Sequence, residues 1–235
     1  MNKTILITGA SSGIGANVAK LFLDRGWNVG LIARREHKLA IIANNHKNAL
    51  CIKCDVAQEK QIKDAFQLTA DHFGKIDVLF NNAGIFTPQA RIDQIDIKDW
   101  QKSLDVNLTG MFLSAREAFK HMREKGGRII NNGSISAHTP REGSVPYTTT
   151  KHAITGLTKT IALDGRDLNI CCGQIDIGNA HTEMVANLSN AGGVVETMAV
   201  SDAAEAVWNM AQLPLSTNIL TMTIMANKMP FVGRG

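Results

Sequence analysis

The stretch Thr4-Ile5-Leu6-Ile7-Thr8-Gly9-Ala10-Ser11-Ser12-Gly13-Ile14-Gly15 passes from an apolar run through a glycine-rich turn into a segment with helical spacing. The apolar run is too short for a buried helix and rich in β-branched residues, so it reads as a strand covered on both faces. Gly9, Gly13 and Gly15 allow a tight turn and a close backbone approach to a ligand. The helix that starts at about Gly13 favours negative charge at its N-terminus. Strand, anion-sized turn and helix together read as the opening of a βαβ unit.

The alternation continues outward from this unit. The first helix runs to about Arg25, followed by a strand over Trp27–Ala33, a helix over Glu36–Asn45 and a strand over Ala49–Lys53. A helix over Glu59–Phe73 leads to a strand over Ile76–Phe80 that ends at Asn81-Asn82-Ala83-Gly84. A long helical stretch covers Lys98–Arg123, with a break near Asn107–Gly110. Strands over Arg128–Asn131, Leu168–Asp176 and Ile219–Met225 then alternate with helices over Pro146–Leu163 and Ala203–Ala211. Strands separated by helices predict an α/β protein with a parallel sheet covered on both faces. The expectation is one domain over residues 1–235, a Rossmann-type, doubly wound parallel sheet of about seven strands.

Composition agrees with one globular domain: 235 residues, 44% hydrophobic and 20% charged. No run of about 18 apolar residues suggests a membrane span, and the N-terminus lacks a signal-peptide pattern, so a cytoplasmic protein is expected. Net charge is +4 and the basic residues are scattered, with Arg34-Arg35 the longest cluster. That is too little for a nucleic-acid footprint, although it is enough for one phosphate. Cys51-x-x-Cys54 and Cys171-Cys172 fall in strand-like runs without a second ligand pair, so buried thiols are expected rather than a metal site.

The glycine turn also spells Gly9-x-Ser11-x-Gly13, the nucleophile elbow of a hydrolase. That reading needs an acid and then a histidine downstream, which Asp164 or Asp176 with His181 could supply. It also needs an oxyanion loop of the His-Gly-Gly-Gly type, which the chain lacks. The phosphate reading is therefore preferred. The second strand ends Leu31-Ile32-Ala33-Arg34-Arg35, without the carboxylate that usually binds a ribose 2′-hydroxyl. Arginine suits a 2′-phosphate instead, which favours NADP(H) over NAD(H), with Arg34 as the first candidate.

Tyr147, the only tyrosine, and Lys151 lie four residues apart in a helical run and share one face. A phenol is a poor base near neutral pH, and a nearby ammonium lowers its pKa. Ser134 follows the fifth strand, where carboxyl ends of strands form a ligand crevice. Asn107 is an unusual choice inside a helix, suited to binding a water or interrupting the helix.

With these motifs the chain resembles the short-chain dehydrogenase/reductase family. The matching residues are Thr8-Gly9-x-x-x-Gly13-x-Gly15, Asp55, Asn81-Asn82-Ala83-Gly84, Asn107, Ser134 and Tyr147-x-x-x-Lys151. The resemblance implies an oxidoreductase that moves a hydride between NADP(H) and a small carbonyl or alcohol. It implies a tetrad in which Tyr147 is the acid/base, Ser134 orients the substrate oxygen, Lys151 holds the nicotinamide ribose and Asn107 positions a water. Asp55 and Val56 would contact the adenine, Asn82, Ala83 and Gly84 the adenosine ribose, and Ile14 the pyrophosphate. Ser11, Ser12 and Arg35 would complete the cofactor set. The resemblance also implies a homodimer or homotetramer, for which the apolar tail Ile219–Val232 would serve. A cofactor-binding sensor with little turnover is the alternative.

One departure stands out. Where the family commonly has Pro-Gly after the sixth strand, this chain reads Asp176-Ile177-Gly178-Asn179-Ala180-His181-Thr182. Gly178 is kept and Thr182 falls where a hydroxyl often meets the nicotinamide amide. By analogy the substrate walls are Ile85–Ile95, Ser136–Pro146 and a lid over 179–200. That lid carries His181, Glu183, Met184, Leu188 and Met198, with Gly192-Gly193 as its flexible point. His138 and Arg141 could meet a polar substrate, with surface placement the preferred reading for both.

Overall fold

The computed structural model describes residues 2–182 and 196–232. Seven parallel strands form one sheet in the order β3-β2-β1-β4-β5-β6-β7. They are β1 (Thr4–Thr8), β2 (Asn28–Ala33), β3 (Ala49–Lys53), β4 (Val78–Asn81), β5 (Gly127–Asn132), β6 (Ile170–Ile177) and β7 (Thr221–Ile224). The helices are α1 (Gly13–Asp24), α2 (Glu36–Ala43), α3 (Glu59–Phe73), α4 (Ile97–Ser103), α5 (Gly110–Met122), α6 (Val145–Asp164) and α7 (Val200–Gln212).

Successive side chains of each strand point to opposite faces, and this divides the core in two. Ile5, Ile7 and Ile175 face a cluster completed by Phe22 of α1, Leu39 of α2 and Val207 of α7. Leu6, Ile129 and Cys172 face the other, with Phe66 of α3 and Leu113 and Ala118 of α5. All five residues of β1 and all eight of β6 are buried, as a central parallel strand requires.

Strand and helix ends depart from the sequence reading by one to three residues. The helix expected to Asn45 ends at Ala43, because Asn44 and Asn45 both turn to positive φ. Leu168 belongs to a short 3₁₀ turn (Arg166–Leu168) that precedes β6 instead of opening it. The expected break near Asn107 is a π-helical segment, Leu104–Thr109, between α4 and α5. Such insertions are rare and occur mostly at functional sites.

No helix among the described residues is long and apolar enough to cross a membrane. The cysteines are free, with Cys54 and Cys172 buried and their thiols pushed up in pKa by burial. Of the expected lid, residues 183–195 lie outside the described residues, and with them Glu183, Met184, Leu188, Gly192 and Gly193. Its two ends are tied together: the His181 N–H donates to the Met198 carbonyl at 3.0 Å, and the Met198 N–H to the Asn179 carbonyl at 2.9 Å.

Candidate active site

The order of the sheet reverses between β1 and β4, and there the carboxyl ends of the strands open a crevice. A cleft of about 400 Å³ fills it. It is lined by Gly9, Ser11, Ser12, Gly13, Ile14, Arg34, Arg35, Asp55, Val56, Asn82, Ala83, Gly84, Ser134, Tyr147, Lys151, Gly178 and Thr182. The residues singled out from sequence therefore meet in one place, except that Gly15 and Asn107 lie behind the wall.

The glycine turn fits a pyrophosphate. Gly9 has φ +69°, and a Cβ there would meet Ala83 Cα at 2.9 Å. A Cβ on Gly15 would come within 2.5 Å of the Gly9 carbonyl oxygen. The first turn of α1 holds no acidic residue, and Ser12 places no side-chain cap over it. The end of the helix dipole and its N–H groups are thus left to an anion. Gly13 packs under Thr182, whose Cγ2 would lie 3.3 Å from an added Cβ. This puts Thr182 over the turn.

Of the two arginines that follow β2, Arg35 is tied to the glycine turn. Its Nε and NH2 donate to Ser11 Oγ at 3.3 and 3.0 Å, and NH2 donates to Ser12 Oγ at 2.9 Å. Arg34 is exposed beside it and lines the cleft. These bonds also count against a nucleophile elbow, because Ser11 Oγ accepts from a guanidinium and is given no base.

Below the turn, polar side chains lace the strand ends together. The Asn82 N–H donates to Thr8 Oγ1 at 2.9 Å, and Asn82 Nδ2 to the Thr8 carbonyl at 3.0 Å. Asn132 Nδ2 donates to Asn82 Oδ1 at 2.9 Å, and Lys151 Nζ to the Asn132 carbonyl at 2.7 Å. One chain of bonds thus connects β1, β4, β5 and α6 and fixes the ammonium over the cleft. Asn132 is a site residue that the sequence did not single out beyond its place at a strand end.

Pro146 in the first turn pre-sets the start of α6, from which Tyr147 and Lys151 project. Lys151 Nζ lies 5.4 Å from the Tyr147 ring centroid, and the Phe86 ring packs on Tyr147 at 4.1 Å. Burial raises the Tyr147 phenol above its ordinary pKa, while the nearby Ser134 side chain and the Arg141 charge pull it back down. The expected direction was downward through Lys151. Burial instead depresses Lys151 itself to about 8, which leaves it a weaker partner than a full ammonium.

Asn107 is fully buried in the π segment. The Ile85 N–H donates to its Oδ1 at 2.7 Å, and its Nδ2 donates to the Ile85 carbonyl at 3.0 Å and Ser103 Oγ at 3.2 Å. A weaker contact reaches Thr150 Oγ1 on α6 at 3.4 Å. Its amide clamps the start of the 85–95 wall, and the helix break read from the sequence is this π segment.

Gly178 is explained by packing. A Cβ there would meet Met225 Cβ at 2.7 Å, on the segment after β7. His138 is exposed, as expected, with its Nε2 2.8 Å from Oδ2 of the fully buried Asp176, whereas Arg141 is half-buried and lines the cleft. Among the described residues no cluster of three or more His, Cys, Asp or Glu side chains forms a metal site.

Residues 3–193 match the family model of short chain dehydrogenases. L-fucose dehydrogenase of Oryctolagus cuniculus is 32% identical over 187 residues, covering 80% of this chain and 66% of that protein. Serine 3-dehydrogenase of Rhizobium radiobacter is 30% identical, covering 99% and 97% of the two chains. Among solved structures, the closed form of serine dehydrogenase complexed with NADP+ superposes with a TM-score of 0.91 at 25% identity, over 99% of this chain and 98% of that one. The chain belongs to the short-chain dehydrogenase family, oxidoreductases that exchange a hydride between a nicotinamide dinucleotide and an alcohol or carbonyl carbon.

Proposed function

We propose that this chain is an NADP(H)-dependent oxidoreductase of a small carbonyl or alcohol, with Tyr147 as its general acid/base. The observation that carries the reading is one cleft holding both the glycine turn and the Ser134, Tyr147 and Lys151 side chains. The dinucleotide, when bound, supplies or accepts the hydride. The remaining demands fall on the chain.

In reduction, the Tyr147 phenol donates its proton to the carbonyl oxygen as that oxygen gains charge, and in oxidation it takes the proton back. A phenol held up in pKa by burial is protonated at neutral pH and suited to the donor role. Ser134, which lines the cleft with Tyr147, orients the same oxygen. Lys151 offers a cation to the ribose and to the proton path, and its value of about 8 lets it exchange protons near neutral pH. Asn107 holds the wall at Ile85, and because its amide is taken, a relay water here would use a backbone carbonyl of the π segment.

Gly9, Gly13, Ile14 and Gly15 would hold the pyrophosphate with Ser11 and Ser12, Asp55 and Val56 the adenine, and Asn82, Ala83 and Gly84 the adenosine ribose. Arg34 and Arg35 support NADP(H), since no carboxylate follows β2 before Glu36. Thr182 and Gly178 would border the nicotinamide. A sensor without turnover gains no support, because the acid, its orienting serine and the lysine are all present. The same reading takes residues 1–235 as one domain and the protein as cytoplasmic, in keeping with four free thiols. It includes a homodimer or homotetramer, supported by the open edge of β7 and by exposed Leu220 and Val232.

The test follows NADPH absorbance with a panel of ketones and aldehydes, and NADP+ with alcohols. Turnover on at least one class, faster with NADP(H) than NAD(H), is expected. Tight NADPH binding with no turnover on any compound would overturn the reading in favour of the sensor.

A further inference from the structure

Arg141 stands at the substrate end of the cleft with Ser134, Tyr147 and Asn179. Its NH2 donates to Asn179 Oδ1 at 2.6 Å. Its backbone is fixed as well: the Arg141 carbonyl accepts from Ser144 Oγ at 2.8 Å, and the Gly143 carbonyl accepts from the Ala90 N–H at 3.1 Å. The guanidinium is near enough to Tyr147 for its charge to favour the phenolate.

Its partner is a neutral amide. Among the described residues no carboxylate forms an ion pair with Arg141. The one acidic side chain among the described cleft-lining residues is Asp55, after β3 at the opposite end of the crevice. Asn179 therefore orients the planar fork without neutralising it, and most of its five donors are left for a ligand. A guanidinium so placed matches the geometry and charge of a carboxylate. The pyrophosphate has its own site at the start of α1.

We propose that the substrate carries a carboxylate, bound by Arg141, beside the hydroxyl or carbonyl that faces Tyr147: a small hydroxy acid or keto acid. This rests on the oxidoreductase reading and adds the substrate class to it.

Acetoacetate and its methyl ester share a ketone and differ in charge. NADPH oxidation is measured with each, for the native chain and for Arg141→Met and Arg141→Lys. Calorimetry measures binding of each compound to the protein–NADP+ complex, where no hydride is available. The acid is expected to exceed the ester in kcat/KM and in affinity. Loss of a charge-assisted bidentate contact in Arg141→Met should cut the acid-to-ester ratio by roughly 10- to 100-fold, chiefly through KM, with Arg141→Lys in between. Equal use of acid and ester by the native chain, or a ratio that Arg141→Met leaves unchanged, overturns the proposal. Arg141-dependent binding of the acid, with no turnover of either compound or of any member of the panel above, would uphold the anion site and sink the oxidoreductase reading. Turnover of the ester alone would do the reverse.

Discussion

Asp176 Oδ1 accepts the backbone N–H of Ser134 at 2.9 Å, so a fully buried carboxylate at the end of β6 holds the serine proposed to orient the substrate. The same oxygen accepts Gln174 Nε2 at 2.6 Å, and Oδ2 meets His138. Gly133 makes room for it, since any Cβ there would collide with Asp176 Oδ1. The negative charge also raises both Lys151 and Tyr147 in pKa.

Two substitutions separate the bonds from the charge. Asp176→Ala leaves the Ser134 N–H buried without an acceptor, at about 1–3 kcal/mol, and the Gln174 amide with Thr155 Oγ1 alone. It should lower the urea midpoint as well as activity. Asp176→Asn keeps an acceptor for Ser134, removes the charge and turns the group facing His138 from an acceptor into a donor. The ammonium then loses support, so Lys151 falls further below about 8, and the alkaline limb of the kcat/KM profile should move to lower pH. An unshifted profile in a folded Asp176→Asn protein would rule out the electrostatic part of this role.

Tyr147→Phe removes one oxygen from the cleft and keeps the ring that packs on Phe86. Without the proton donor, kcat should drop by about 10²-fold or more, the typical contribution of general acid–base catalysis. NADPH affinity, read by fluorescence of the bound cofactor, should change little because the phosphate contacts lie at the other end. Retained turnover would remove Tyr147 from the mechanism.

Arg34 and Arg35, the pair proposed to meet a 2′-phosphate, are held differently after β2. Arg35 is tied to Ser11 and Ser12, so its loss disturbs the turn as well as the charge. Arg34→Ala should reduce the NADP/NAD preference by roughly tenfold or more through one charge-assisted contact, with NAD affinity nearly unchanged. Arg35→Ala should weaken both cofactors, NADP more. Ratios of kcat/KM for the two cofactors in both variants give the answer, and an unchanged ratio in both removes the arginines from the specificity.

What the sequence made legible is local. Tyr147 and Lys151 share a helix face by spacing alone, and the glycine turn is contiguous. Asn107 showed itself by its poor fit to a helix, although only the fold reveals a π segment and the clamp on Ile85. Asp176 and Arg141 were not legible as site residues because their partners lie 38 and 42 residues away along the chain, across connections that only the sheet order brings together. Gly178 was legible as a cleft residue, but its close packing against Met225, on the segment after β7, was not. The direction of the Tyr147 shift was missed because burial, the opposing influence, is a property of the packed cleft.

Lys151 offers a test in which stability and activity move apart. It is almost fully buried, and burial lowers its pKa from 10.5 to about 8. Between those values the unfolded chain binds a proton that the folded chain does not, so this group makes stability rise with pH. Below about pH 8 the cost of burying the ammonium is present in full, about 3 kcal/mol at 1.36 kcal/mol per unit. It is relieved as pH climbs from about 8 to 10.5. Lys151→Met removes the buried charge and gives up the bond to the Asn132 carbonyl, worth about 1 kcal/mol net. The variant should therefore be inactive, yet more stable than the native chain at pH 7. The advantage should shrink toward pH 10, with the buried thiols cancelling because both proteins carry them. Urea unfolding of the two proteins at pH 7, 8.5 and 10 measures the difference. A gap that stays constant across that range would show that the folded chain holds Lys151 at its ordinary pKa.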